Sequence, residues 1–198
     1  MNTIIFLGSS VTFGSASGGY SMCNYLAEQT GCRMVKWAVS GTTLADLSPD
    51  SYVSRMKQAM RRESQCDLFV CQLSTNDAGQ NLPLGEVSDS RHPDAFDTKT
   101  VTGAMEWIIA AAKEKWGCTV GFYTGTRFES EYYQHMVDTL MQLKDKWNLS
   151  VLNLWDDPQM NAVSPQDYAR FMDDPIHPTL AGYREWWGPK FLAWISKI

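Results

Sequence analysis

The chain has 198 residues, with 17 Lys and Arg against 22 Asp and Glu, a net charge of −5 and 44% hydrophobic residues. Those figures suit one α/β domain spanning 1–198, large enough to close its core without a metal or disulfide staple. The acidic balance, with no basic run longer than Arg61-Arg62, argues against a nucleic-acid partner.

In chain order, Thr3–Leu7 is the first predicted strand. The residues before it carry no basic n-region, so the start reads as a strand and not a signal peptide, and cytoplasmic residence is the expectation. The strand runs into Gly8-Ser9-Ser10-Val11-Thr12, where a glycine permits a sharp turn and Ser10 follows a buried strand. Such a serine is either ordinary turn chemistry or a nucleophile held at a crevice. A helix over Tyr20–Gln29 carries Tyr20, Cys23, Leu26 and Ala27 on one stripe.

The second strand, Arg33–Ala38, leads to Ser40-Gly41-Thr42-Thr43. Gly41 can offer an unobstructed backbone N–H, or the segment is simply a turn capping the helix over Ser51–Ser64. The third strand, Asp67–Leu73, ends in Ser74-Thr75-Asn76-Asp77. There Asn76 either aims an amide donor at a developing oxyanion or makes an Asx turn. Residues 77–99 are polar, rich in Gly, Pro, Asp and Ser, and lack a period; a loop this long at a strand end predicts a lid or substrate loop.

A helix over Val101–Trp116, a strand over Thr119–Tyr123, a helix over Ser130–Trp147 and a strand over Ser150–Leu154 continue the alternation. Five strands alternating with helices predict a flavodoxin-like parallel sheet covered on both faces. Its functional crevice lies beyond the carboxyl ends of the strands. At that edge Arg127 could hold a carboxylate or sugar hydroxyls and Trp155 could stack on a sugar face. Surface pairing of Arg127 and core packing of Trp155 explain them equally well. The last helix, Thr179–Ile198, has an apolar spacing that suits closure of the core better than a membrane surface. No stretch approaches a membrane span, and Cys23, Cys32, Cys66, Cys71 and Cys118 read as reduced thiols.

The most informative segment is Asp173-Asp174-Pro175-Ile176-His177-Pro178. Of the three histidines, His135 lies mid-helix and His92 in the polar excursion. His177 has Asp174 three residues before it on a proline-stiffened turn, a spacing that sets a carboxylate against one ring nitrogen and frees the other. A lone DxxH also suits a metal, but no second histidine or carboxylate pair stands nearby at ligand spacing.

Gly8-Ser9-Ser10, Gly41, Asn76 and Asp174-x-x-His177, in this order and each at a predicted strand end, together resemble the four blocks of the SGNH (GDSL-type) hydrolases. Ser9 stands where that family usually has Asp, and Ser74 where it has Gly two residues before the asparagine. The resemblance implies a three-layer α/β/α sandwich with Ser10 as nucleophile, His177 as base and Asp174 as its orienting acid. It further implies an oxyanion hole from the Ser10 and Gly41 N–H groups and the Asn76 amide. No cofactor or metal is then needed. The expected substrate is a small-molecule or carbohydrate ester, with acetyl on a sugar preferred. A lysophospholipase or thioesterase, or a non-catalytic flavodoxin-like ligand-binding module, is the alternative. No membrane association is expected, and oligomeric state is not legible.

Overall fold

A computed structural model describes all of residues 1–198. Five strands, β1 (Thr3–Gly8), β2 (Arg33–Ala38), β3 (Leu68–Gln72), β4 (Thr119–Tyr123) and β5 (Ser150–Leu152), form one parallel sheet in the order β2-β1-β3-β4-β5. β1 and β3 are buried throughout, which is why both read as largely apolar runs, with Gln72 the polar end of β3.

Successive side chains point to opposite faces and feed two separate cores. Ile5, Leu7, Phe69, Cys71, Val120 and Phe122 pack against α3 (Tyr52–Arg62), α5 (Val101–Trp116) and α6 (Glu131–Trp147). Ile4, Phe6, Leu68, Val70 and Tyr123 meet α2 (Met22–Thr30) and the C-terminal helix. The result is the three-layer α/β/α arrangement. Burial pushes the Cys23 thiol up to about 12, which marks it as a packing residue of the second core.

The structure adds short helices that hydrophobic periodicity did not announce: α1 (Ser10–Phe13), α4 (Thr75–Gly79), α7 (Pro158–Asn161) and α8 (Pro165–Phe171). The expected continuous helix over Thr179–Ile198 is instead a π-helical segment, Gly182–Trp187, followed by α9 (Gly188–Ile195). Pro189 has no N–H to continue an i→i−4 ladder, and just before it the Gly188 N–H reaches the Tyr183 carbonyl five residues back.

Residues 77–99 are strapped along the outer layer. The Tyr132 hydroxyl donates to the Leu82 carbonyl, the Ser88 N–H donates to Glu106 at 2.9 Å, and Lys146 donates to the Ser88 and Ser90 carbonyls. Leu82, Leu84 and Val87 pack on the first core, and Phe96 is buried within it. No helix is long and apolar enough to cross a membrane.

Candidate active site

The sheet order reverses between β1 and β3, and the crevice at such a switch point opens beyond their carboxyl ends. Ser10 opens α1 two residues after β1 and is 6% exposed. The turn that carries it is fixed from below. Gln72 Oε1, at the end of β3, accepts from the Ser9 N–H at 2.9 Å, the Thr12 N–H at 3.2 Å and the Thr12 hydroxyl at 2.8 Å. A Cβ on Gly8 would lie 1.7 Å from Thr12 Oγ1, so only glycine fits this packing.

Ser10 Oγ lies 2.7 Å from His177 Nε2, and His177 Nδ1 lies 2.7 Å from Asp174 Oδ2. With the ring proton on Nδ1, the imidazole donates to the carboxylate and presents a lone pair to the serine hydroxyl. The other Asp174 oxygen accepts from the Ile176 and His177 N–H groups at 2.7 and 2.8 Å, so one carboxylate sets both the turn and the ring. Partial burial pushes the Asp174 carboxyl up, but the bonds from the His177 ring and the two N–H groups outweigh it and hold the group below its ordinary value.

Asn76 is tied to the residue that follows Gly41. Asn76 Nδ2 donates to the Thr42 carbonyl at 2.8 Å, and its second amide hydrogen has no part in that bond. Gly41 is exposed, with φ of +79° and open space where a side chain would stand. Asp77 is fully buried and accepts from the Leu44 and Ala45 N–H groups at 2.7 and 3.0 Å, which fastens the loop after β2 to α4. Ser74 caps α4 through a bond from the Asp77 N–H. That cap is what a serine offers where the resemblance has glycine.

Ser10, His177 and Asp174 are therefore brought together, with the loop of Gly41 joined to Asn76 beside the same strand ends. Trp155 is a correction. It is 4% exposed, its indole N–H donates to Gln134 at 2.6 Å, and its rings meet Phe128 and Tyr133, so it offers no face to a sugar. Arg127 stays at the surface, donating to Asp156 at 3.1 Å and to the Trp155 carbonyl, beside a hollow shared with Tyr168 and Trp186. Sequence reasoning missed Gln72, Arg55 and Asp77. Only Gln72 left a trace, a polar residue at the end of an apolar strand.

Residues 6–185 match the model of the GDSL-like lipase/acylhydrolase family. The chain belongs to that family. It is accordingly a hydrolase of ester bonds. This GDSL hydrolase shares its fold with a protein from Lactobacillus plantarum at 20% identity and a TM-score of 0.81, over 99% of this chain and 97% of that one. An inhibitor-bound aryl esterase of M. smegmatis superposes with a TM-score of 0.64 at 14% identity, over 100% of both chains. A family two carbohydrate esterase from Clostridium thermocellum, in complex with cellohexaose, gives 0.67 at 15%, over 99% of this chain and 64% of the other. No curated protein sequence matches the hydrolase.

Proposed function

We propose that this hydrolase is a serine esterase of small acyl groups, acetyl esters of carbohydrates foremost, working through an acyl-enzyme on Ser10. The reading is carried by the unbroken chain from the Ser10 hydroxyl through His177 to Asp174, with both links at 2.7 Å. In the first step Ser10 Oγ attacks the ester carbonyl carbon while His177 Nε2 takes its proton. The C–O bond to the alcohol then breaks, and the alcohol leaves with that proton. Water repeats the attack through the same imidazole and releases the acid. Asp174 orients the ring and stabilises its charged form. The Ser10 and Gly41 N–H groups and the Asn76 amide receive the oxyanion.

The acyl group is taken as small because the crevice nearest the triad is tight. Its lining includes Val11, which follows Ser10, and Ile176, which precedes His177, with Gln72, Thr75 and Thr126, and it encloses only about 10 Å³, little more than a water-sized space. The space for an alcohol is larger. An open groove of about 470 Å³ runs past Thr75, Gly79, Phe128, Ser130 and Asp174, and a hollow of about 150 Å³ lies between Arg127, Tyr168 and Trp186. Arg127 is the binding residue in the smaller one. Gly79 brings the 77–99 segment to the groove as an anchored substrate loop.

A fluorophosphonate probe tests the chemistry: it should label Ser10 in the wild type and nothing in Ser10→Ala. A series of p-nitrophenyl esters and a panel of acetylated sugars test the substrate, with the rate expected to fall beyond C4. A rate peaking at C8 or longer overturns the small-acyl assignment. Labelling elsewhere, or turnover that survives Ser10→Ala, overturns the mechanism.

A further inference from the structure

Arg55, in α3, is 3% exposed, yet no carboxylate pairs with it. Burying a guanidinium is costly unless its charge is paired or its N–H groups are fully used, so an unpaired one is an anomaly to be explained. Here it lies over the ring of Tyr52, 4.9 Å from the centroid, and donates only to neutral oxygens. Nη1 donates to the Gly8 carbonyl at 2.8 Å and the Trp37 carbonyl at 2.5 Å, Nη2 to the Thr42 hydroxyl at 2.7 Å, and Nε to the Asp50 carbonyl at 3.0 Å.

Those acceptors are not scattered. Gly8 is the last residue of β1 and Trp37 the penultimate residue of its partner β2, and Thr42 sits in the loop that follows β2. Gly8 precedes Ser10 by two residues. Thr42 follows Gly41 directly, and its carbonyl receives the Asn76 amide. One planar fork thus joins the turn that presents the nucleophile to the loop that presents the oxyanion donors. A packing role alone would be served by an aliphatic side chain without the desolvation cost.

We propose that Arg55 is a positioning residue for catalysis, fixing the Ser10 turn against the Gly41–Asn76 donors so that nucleophile and oxyanion site keep one spacing. The inference rests on the serine esterase reading.

The test compares Arg55→Met, which keeps bulk and removes every donor, with Arg55→Lys, which keeps the charge but cannot span four acceptors. Steady-state rates on p-nitrophenyl acetate are taken well below each protein's unfolding temperature. Arg55→Met should lower kcat about 100-fold with KM within threefold of wild type, since misplaced oxyanion donors act in the transition state and not in substrate binding. Arg55→Lys should recover part of that loss. Should Arg55→Met fail to fold, Thr42→Val decides: a roughly tenfold fall in kcat at unchanged KM supports the inference, and a wild-type kcat overturns it. A folded Arg55→Met with wild-type kcat, or a loss confined to thermal stability, likewise overturns it. Wild-type protein that labels at Ser10 separates the two ideas, because the esterase reading then stands whatever Arg55 does. A wild type that neither turns over nor labels overturns both.

Discussion

The two halves of the site are built in opposite ways. The proposed acid–base half is a short turn: Asp174 and His177 are three residues apart, their side chains 45% and 25% exposed, and four hydrogen bonds complete it, two to Asp174 Oδ1, one to its Oδ2 and one between His177 and Ser10. The nucleophile half draws on β1, β2, β3, α3 and α4 and is held by buried groups: Gln72 under the Ser9 turn, Asp77 under the loop after β2, Arg55 between them. A base can be oriented locally, because one carboxylate suffices. An oxyanion site needs donors from separate strand ends, and only the interior reaches all of them.

The contrast predicts that damage to the first half falls mainly on rate, with little effect on stability, whereas damage to the second changes rate and stability together. His177→Ala should lower kcat on p-nitrophenyl acetate by about 10³-fold or more and leave the unfolding temperature nearly unmoved. Asn76→Ala should cost about 100-fold in kcat. Because its amide also holds the Thr42 carbonyl, that variant should lose some stability as well, which a melt alongside the kinetics would register. Asp77→Ala strands two buried N–H groups and should destabilise by about 2 kcal/mol in urea unfolding. Burial pushes the Asp77 carboxyl up, so relief of that cost keeps the loss from being larger.

Two smaller effects sharpen the comparison. The Asp174 carboxyl is held below its ordinary value, so the unfolded chain binds its proton more readily than the folded one. Its contribution to stability is complete above about pH 4 and is lost as the pH falls further, so the melting difference between wild type and Asp174→Asn should shrink in that range. Trp155→Phe gives up one hydrogen bond to Gln134 and should cost about 1 kcal/mol. Its relative rates on different esters should match wild type. A changed preference there would return Trp155 to the substrate.

The same contrast explains what could be read from the chain. All five strands were legible, β1 and β3 most plainly because burial on both faces writes largely apolar runs, and β2 and β4 span the residues expected. Asp174 and His177 were legible because their partnership is local in sequence. The proposed oxyanion segments offered only ambiguous turns, since Asn76 and the Thr42 carbonyl it bonds lie 34 positions apart and meet through tertiary structure. Arg55 was illegible for a sharper reason: on α3, which also carries exposed Lys57 and Arg61, a charged residue signals the solvent side. Trp155 shows the converse, an aromatic at a strand end that serves packing.

The contact between Ser10 and His177 joins positions 167 residues apart. During synthesis the nucleophile turn emerges early, and the sheet is complete once β5 has formed at Leu152. Through that interval the growing chain has every strand but no base. Tyr183, whose hydroxyl donates to the Val11 carbonyl at 2.6 Å, then fastens the late segment to the early one. Closing so long a loop is slow to reward, so esterase activity should be the last property a refolding chain regains, after its secondary structure.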